Sequence, residues 1–358
     1  MAPLTADVVD LIARMPKVEL HVHLDGAMRP STLWELAHKR GMQLDFPDEA
    51  SFCAACLCRE GATLPEFLEK FAIMCPIVAG SVEGVERVAY EFVEDKASEG
   101  VVYAEARYAP QLLTAPDVSA EDVVRAVHRG FSRGLADFGV DVRSILCCMR
   151  HMAGDSATVI DLCLKYAGKG VVGIDLAGDE SRTDRDHPDE PPQVAAFDRA
   201  RKRGVHRTVH AAEAGPAWNV WEAVEILHAE RIGHGYHCLE DDAVYDMVRR
   251  KGIHLEICPH SSIQTGAVVL DDAVGWASHP LVTFAKDGAS FSVNTDDPTV
   301  CGVSLLDEYL VVVEKMGVGV EVLVQGVRNA ADATFLDPDA KKKLKEKIEA
   351  KLKEIGLA

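Results

Sequence analysis

Apolar residues follow two different spacings along the chain. Runs of Val, Ile, Leu and Ala bounded by Gly, Pro or acidic residues predict strands, whereas apolar residues three and four positions apart predict helices. From residue 101 onward the two patterns alternate regularly. The predicted strands cover 17–24, 101–108, 142–149, 171–177, 205–211, 231–237, 253–258 and 290–295.

Most of these strands are apolar on both faces instead of alternating between apolar and polar residues. Such strands are typical of a parallel sheet that is covered by helices. Eight strand–helix units predict an α/β protein with a (β/α)8 TIM-type barrel. An open doubly wound sheet is the alternative. No glycine-rich phosphate motif follows any predicted strand, so we expect neither a dinucleotide site nor a P-loop.

Two helical regions lie outside the regular alternation. One is an insertion at about 30–98, and the other is a set of C-terminal helices from about 304. The predicted helices of the insertion cover 31–40, 65–74 and 82–98. A further short helix is predicted within 1–16. An insertion after the first strand is a candidate cover for a site, and we expect one catalytic domain over 1–358.

Composition and charge narrow the classes of partner. The net charge of −19 argues against nucleic acid or an anionic membrane as partner. We find neither a long apolar run typical of a membrane helix nor the basic-then-apolar start of a secretory signal. Ten scattered cysteines are typical of free thiols in a reducing compartment. We therefore expect a cytoplasmic protein, acting as a monomer, with no predicted protein partner.

Polar residues with catalytic potential stand where the predicted strands end. In a (β/α)8 barrel the C-terminal ends of the strands share one face, and that face holds the active site. These residues are His21, His23 and Asp25 at the first strand, Gly178 and Asp179 at the fourth, His210 and Glu213 at the fifth, His234 in the sixth, Cys258–Ser261 at the seventh, and Asp296 and Asp297 at the eighth. Singly, each has a structural alternative, such as a core histidine or an N-cap. Jointly, they favour a metal site.

The types of these residues indicate the metal and its chemistry. Three imidazoles and one carboxylate favour zinc or a similar borderline ion over calcium or magnesium. Bound Zn²⁺ lowers the pKa of water from about 15.7 to about 7, which indicates hydrolytic chemistry. Glu213, three residues after His210, is placed to transfer a proton, and His234 can orient the hydroxide or accept its proton.

Five ordered motifs resemble the adenosine deaminase family of metal-dependent hydrolases. They are His21-x-His23-Leu24-Asp25-Gly26, Leu176-Ala177-Gly178-Asp179-Glu180, Thr208-Val209-His210-Ala211-x-Glu213, Gly233-His234-Gly235-Tyr236-His237 and Asn294-Thr295-Asp296-Asp297-Pro298. The likeness runs from about 17 to 340. It includes the non-catalytic stretch 144–151, which is similar to the animal-type enzymes.

The resemblance implies zinc-dependent hydrolysis of adenosine and 2′-deoxyadenosine to inosine and 2′-deoxyinosine, as in purine salvage, with one Zn²⁺ per chain. The implied zinc ligands are His21, His23, His210 and Asp296. The implied catalytic residues are Glu213, which gives a proton to N1, His234, which positions the hydroxide, and Asp296, which takes the hydroxide proton. The implied substrate contacts are Asp25 with the ribose 5′-hydroxyl, Gly178 with N3, Asp297 with N7, and His23. Leu64, Phe67, Leu68 and Phe71 are implied as an apolar gate.

Two departures from the family pattern stand out. Ala212 replaces a usual glycine, and a methyl group there could crowd the purine or change how the backbone meets the ligand, so we expect a modest loss of affinity or rate. Residues 260–264 also differ from the animal-type pattern, and we expect this difference to alter the rim of the pocket. Alternatives are an adenine or other aminopurine deaminase of the same superfamily, or a non-catalytic nucleoside-binding relative. Asp25 favours a nucleoside, because adenine deaminases tend to have glutamate there.

Overall fold

The computed structural model describes residues 4–59, 61–181 and 183–357. Eight parallel strands, each hydrogen-bonded to the next in chain order, form a nearly closed barrel. The strands are β1 Lys17–His23, β2 Val101–Tyr108, β3 Asp141–Met149, β4 Val171–Ala177, β5 His206–Ala211, β6 Arg231–His234, β7 His254–Ile257 and β8 Phe291–Val293. The predicted (β/α)8 fold is confirmed. The first three residues of the predicted N-terminal helix lie outside the described residues.

The last strand meets the first at the end where the polar motifs stand. Val22 and Asp296 form a parallel bridge. The His23 backbone N–H donates to the Asp296 carbonyl at 2.7 Å, and the Asp296 N–H donates to the His21 carbonyl at 3.1 Å. These two hydrogen bonds bring together segments that are more than 270 residues apart in the chain.

Four helices fill the insertion between β1 and β2. They follow α1 Ala6–Arg14 and are α2 Pro30–Lys39, α3 Glu49–Cys56, α4 Leu64–Val78 and α5 Val82–Ser98. The helix α3 was not predicted, because its apolar and polar residues form no one-sided stripe. Its first turn is stabilised by Asp48, whose side chain accepts from the Ser51 N–H at 2.8 Å. The helix α4 begins at a capping box of Thr63 and Glu66 and extends four residues past the predicted end.

The remaining helices alternate with the strands and then cover the barrel. They are α6 Ala120–Phe138, α7 Ser156–Tyr166, α8 Pro191–Arg203, α9 Ala217–Glu225, α10 Asp242–Lys251, α11 Pro259–Gln264, α12 Pro280–Lys286, α13 Pro298–Cys301, α14 Leu305–Glu314, α15 Val320–Ala333 and α16 Pro338–Glu354. The core lies between this layer and the barrel wall. In the described part of the chain, no helix has the length and apolar character needed to cross a membrane.

The sixth strand is shorter than predicted. The sequence predicted a strand over 231–237, but β6 ends at His234 and a 3-10 helix follows over Tyr236–Glu240. His234 and Gly235 both have left-handed φ values, +67° and +75°. A left-handed residue cannot continue a strand, so the chain turns there and carries the imidazole of His234 to the end of the barrel.

Candidate active site

A cavity of about 530 Å³ opens at the C-terminal ends of the barrel strands. Of the predicted site residues, His23, Asp25, Gly178, His210, Glu213, His234, Asp296 and Asp297 line it. His21, whose side chain is fully buried, does not line the cavity, and neither do Asp179 and residues 258–261. The four predicted gate residues of α4 line the same cavity. The structure thus gathers residues from strands that are far apart in the chain, and from the insertion, around one space.

Four histidines and one aspartate crowd together on the floor of the cavity. Potential ligand atoms of His21, His210, His234 and Asp296 all lie within 4.8 Å of one another. His23 belongs to the same cluster, because its Nε2 lies 3.0 Å from His210 Nε2 and 3.4 Å from Asp296 Oδ1. The geometry therefore offers five ligand candidates, one more than the predicted set of His21, His23, His210 and Asp296.

Buried carboxylates orient two of these imidazoles. His21 Nδ1 donates to Glu256 Oε2 at 2.8 Å, and His210 Nδ1 lies 3.0 Å from Asp175 Oδ2. Each contact fixes the proton on Nδ1 and leaves the lone pair of Nε2 facing the cluster. Arg107 binds both carboxylates, with distances of 3.1 Å to Asp175 and 2.6 Å to Glu256. Sequence analysis missed these three residues, although a charged residue within an apolar strand was a visible signal.

The donor set fits a divalent metal ion. His21 Nε2 faces Asp296 Oδ1 at 3.0 Å, so a lone pair meets a carboxylate oxygen in a buried space. Lone pairs that converge in this way repel each other unless a cation or a proton lies between them. Burial lowers the pKa of His23 well below its usual value, which favours the neutral form that binds metal. For His21, the carboxylates Asp296 and Glu256 outweigh burial and raise the pKa.

Two carboxyl groups around the cavity favour their protonated forms, and the pKa of a third is raised less. Burial, followed by the nearby charge of Asp296, raises the pKa of both Glu213 and Asp297 well above the ordinary range. Burial also raises the pKa of Asp25 to about 6. Within the described residues, Oδ1 of Asp25 and Oδ1 of Asp297 are buried without a hydrogen-bond partner. Such atoms are suited to a polar ligand that enters the cavity.

The backbone is strained at several of these positions. In the described ranges, four residues other than glycine have a left-handed φ, and three belong to the site: Ala212 at +54°, His234 at +67° and Asp296 at +62°. Strain of this kind costs about 1 kcal/mol or more per residue and often marks functional sites. Ala212 is buried but does not line the cavity. Its methyl group therefore bears on the backbone and does not project into the open space.

Glycines give the site room. A Cβ atom on Gly26 would lie 1.7 Å from Asp297 Oδ1, so only glycine lets that carboxyl group reach the cavity. A Cβ atom on Gly233 would lie 2.7 Å from His21 Cε1. Gly178 has φ +101°, a conformation that residues with side chains rarely adopt. The glycine that ends the first motif is thus part of the site geometry.

Comparisons with known proteins agree on one family. The family model described as adenosine deaminase matches residues 16–351. An adenosine deaminase of Danio rerio is 47% identical over 341 residues, which cover 92% of this chain and 93% of that protein. One of Bos taurus is 46% identical over 343 residues and 92% of each chain. A solved structure of adenine deaminase from Arthrobacter aurescens has a TM-score of 0.83 at 27% identity, covering 95% of this chain and 99% of that one.

Proposed function

Because the chain belongs to the adenosine deaminase family, we propose that it converts adenosine and 2′-deoxyadenosine, by hydrolysis, into inosine or 2′-deoxyinosine and ammonia. One observation carries this proposal: a buried cluster of His21, His210, His234 and Asp296 lies beside Glu213, a carboxyl group that favours its protonated form. A metal site next to a buried acid is the pair of functions that this reaction needs.

We assign one zinc ion to His21, His23, His210 and Asp296. The Nε2 atoms of His21 and His23 both approach Asp296 Oδ1, at 3.0 Å and 3.4 Å. His234 instead approaches the other oxygen, Oδ2, at 3.8 Å, and Glu213 Oε2 at 3.6 Å. This difference supports a role for His234 beside the ligand set and not within it. A bound zinc ion would lower the pKa of water to about 7, making hydroxide available at neutral pH.

The proton transfers are then carried by side chains of the chain. Water attacks C6 of the purine, and Glu213 donates its proton to N1 as the ring accepts electrons. Burial lowers the pKa of His234 well below its usual value, so its neutral Nε2 can accept a hydrogen bond from the attacking water. Asp296 takes the proton of that water and passes it to the amino nitrogen. The C6–N bond breaks, ammonia leaves, and the remaining hydroxyl proton returns to Glu213, which gives a product with C6=O and N1–H.

Other residues of the cavity select the substrate. Protonated Asp297 donates a hydrogen bond to N7, the Gly178 N–H donates to N3, and Asp25 accepts from the ribose 5′-hydroxyl. The described residues that line the cavity include neither lysine nor arginine. A phosphate group would therefore find no cationic partner there, which supports a nucleoside and not a nucleotide as substrate.

We further propose that the protein works as a monomer in the cytoplasm. Each role proposed above is filled by a residue of this chain, so the proposed chemistry needs no second subunit. All ten cysteines are free, and eight of them are buried. Free thiols in this number suit a reducing compartment.

A side-by-side assay tests the proposed function. The zinc-loaded protein is given adenosine, 2′-deoxyadenosine, adenine and AMP, and the change in purine absorbance is followed together with release of ammonia. We expect both nucleosides to react, with kcat/KM at least about 100-fold above the values for adenine and AMP. Adenine leaves Asp25 unpaired, and AMP places a phosphate beside it. If no inosine forms, or if adenine is the better substrate, the proposal is wrong.

A further inference from the structure

Glu180 lies just beyond β4 and is buried, with 1% of its surface exposed. Its carboxylate accepts five hydrogen bonds. Oε1 accepts from the backbone N–H groups of Glu213, Ala214 (2.9 Å) and Gly215 (3.2 Å), and Oε2 accepts from the Ala212 N–H and the Asn219 side-chain amide, both at 3.0 Å. The carboxylate therefore holds four consecutive backbone amides, of residues 212–215, which we call the acid loop.

The acid loop is the segment that carries Glu213 into the cavity. It begins at Ala212, whose left-handed φ of +54° is unfavourable for a residue with a Cβ atom. Successive backbone N–H groups that point at one anion form a concave anion-binding site. The Glu180 carboxylate supplies that anion from within the chain. It thereby offsets the strain at Ala212 and fixes the direction in which Glu213 leaves the backbone.

Gly215 and Asn219, which lie beside Glu180, are also arranged to allow its hydrogen bonds. A Cβ atom on Gly215 would lie 2.1 Å from Asn219 Nδ2, so glycine is needed for the Asn219 amide to reach Glu180. The Oδ1 atom of Asn219 has no hydrogen-bond partner among the described residues. The contact with Glu180 thus accounts for the orientation of this amide. All five groups around the carboxylate are donors, so both of its oxygens act as acceptors.

We propose that Glu180 is a positioning residue for the reaction, which holds the acid loop so that the carboxyl group of Glu213 meets the purine. This inference rests on the proposed function and adds a residue to it. Glu180 does not touch the substrate, because it does not line the cavity. Its effect is on the step that needs a correctly aimed acid, so it influences kcat more than KM.

The test begins with Glu180→Gln in the zinc-loaded full chain. Glutamine keeps the shape of glutamate but brings an N–H₂ group against donors, so at least one backbone N–H loses its acceptor. We expect kcat for adenosine to fall about 10- to 100-fold, with KM changed less than about threefold. The matched control is Glu222→Gln on α9, another buried glutamate that accepts from a single backbone N–H, that of Asp189. We expect this control to retain kcat within about twofold.

Rescue by Ala212→Gly separates positioning from a general loss of structure. Glycine takes a left-handed φ without the Cβ penalty, so the acid loop needs less help from Glu180. We expect Glu180→Gln with Ala212→Gly to regain at least about fivefold in kcat over Glu180→Gln alone, while Ala212→Gly by itself changes kcat less than threefold. Effects that multiply independently, or a Glu180→Gln variant with wild-type kcat, would overturn the proposal.

Backbone amide exchange gives a readout that does not depend on activity. We expect hydrogen exchange in peptides that contain residues 212–215 to accelerate in Glu180→Gln, with unchanged exchange in β1 and unchanged metal content. If the wild type forms no inosine while exchange still accelerates, then the proposed function fails and the hold on the loop stands. If exchange stays at the wild-type rate, the hold itself is wrong. Should Glu180→Gln not fold, Asn219→Ala takes its place, because it removes one of the donors to Glu180. We expect this variant to lose about three- to tenfold in kcat, with the same rescue by Ala212→Gly.

Discussion

Buried carboxyl groups that line the cavity lack the cationic partners that buried carboxylates toward the other end of the barrel have. Toward the N-terminal ends of the strands, charges are paired: Arg231 lies 2.6 Å from Glu105, and Lys96 lies 2.9 Å from Glu19 and 3.0 Å from Glu99. At the C-terminal ends, the carboxyl groups of Asp25, Glu213 and Asp297 form no ion pair with a lysine or arginine in the described part of the chain. Their pKa values are raised, chiefly by burial.

This difference separates stability from chemistry along the same strands. A buried carboxylate with a cation partner stays ionised and stabilises the fold only while the pair is intact. A buried carboxyl group without one keeps its proton more easily and can donate it to a ligand. The strand β6 contacts both kinds of carboxyl group within four residues: Arg231 at its start pairs with Glu105, and His234 at its end lies 3.6 Å from Glu213. Substitutions at the cavity should therefore reduce activity, whereas substitutions at the other end of the barrel should reduce stability.

The largest expected effect is on metal binding, and β5 offers a matched pair of histidines at its two ends. We expect His210→Ala to lose the metal and to reduce deamination of adenosine below detection, because it removes one Nε2 from the cluster. His206 lies at the other end of β5 and stacks on Phe335 at a centroid distance of 4.7 Å. We expect His206→Ala to retain metal and activity and to lose about 1 kcal/mol of stability.

The measurement is metal content by mass spectrometry after dialysis, together with the melting temperature before and after chelation. Since a ligand that binds only the folded state stabilises it by about 4 kcal/mol at 1,000 times its Kd, chelation should lower the melting temperature of the wild type and of His206→Ala. His210→Ala should melt at one temperature with or without the chelator. A metal-loaded and active His210→Ala would show that the cluster is not the metal site.

The next effect concerns two buried glutamates, one at each end. Glu213→Gln should reduce kcat about 10²- to 10⁴-fold, because the amide cannot donate an acidic proton to N1. The fold should keep its stability, since a neutral group replaces one that favours neutrality. Glu105→Gln should do the reverse. Glu105 faces Arg231 and accepts from Tyr103 Oη at 2.8 Å, so its loss should cost about 3 kcal/mol while kcat stays within about twofold.

Urea unfolding and steady-state kinetics on both variants measure this contrast. The free energy of unfolding should change only for Glu105→Gln, and kcat only for Glu213→Gln. If Glu213→Gln loses as much stability as Glu105→Gln, then Glu213 is a paired structural charge like those of the N-terminal end. If both variants lose kcat, the separation between the two ends is not real.

The alternation of apolar segments predicts the fold because it is repeated eight times and each strand is buried on both faces. The helix α3 and the early end of β6 escape prediction for local reasons. The segment 49–56 has no one-sided stripe, and the left-handed φ of His234 depends on tertiary contacts, which sequence spacing does not show. The insertion at about 30–98 could be predicted as helical, but its reach over the cavity depends on how α4 packs.

The sequence predicts which residues form the site better than it predicts the geometry of the site. Residues at strand ends converge in a barrel, so the cluster around His21 and Asp296 follows from spacing and fold. The contacts of Glu180 do not follow, because a carboxylate that binds the backbone of another loop leaves no pattern in its own segment. Spacing alone does not separate His23 from His234 as ligands; the family resemblance assigns His23. Ala212 could be identified as unusual, but its strained φ, and not crowding of the cavity, is what the structure adds.

The smallest expected effect is a pH dependence that arises at the N-terminal end. His254 opens β7 with its ring nitrogens 2.9 Å from Ser290 Oγ and Ser292 Oγ, and burial lowers its pKa to about 3. An unfolded histidine binds a proton below about pH 6.5, whereas folded His254 stays neutral down to about pH 3. Stability should therefore fall as the pH drops through this window, by about 1.4 kcal/mol per pH unit from this residue. Urea unfolding between pH 7 and pH 4.5 should give a shallower slope for His254→Gln than for the wild type. Equal slopes for the two proteins would mean that His254 takes up its proton in the folded state, and that this end tolerates a charge without a partner after all.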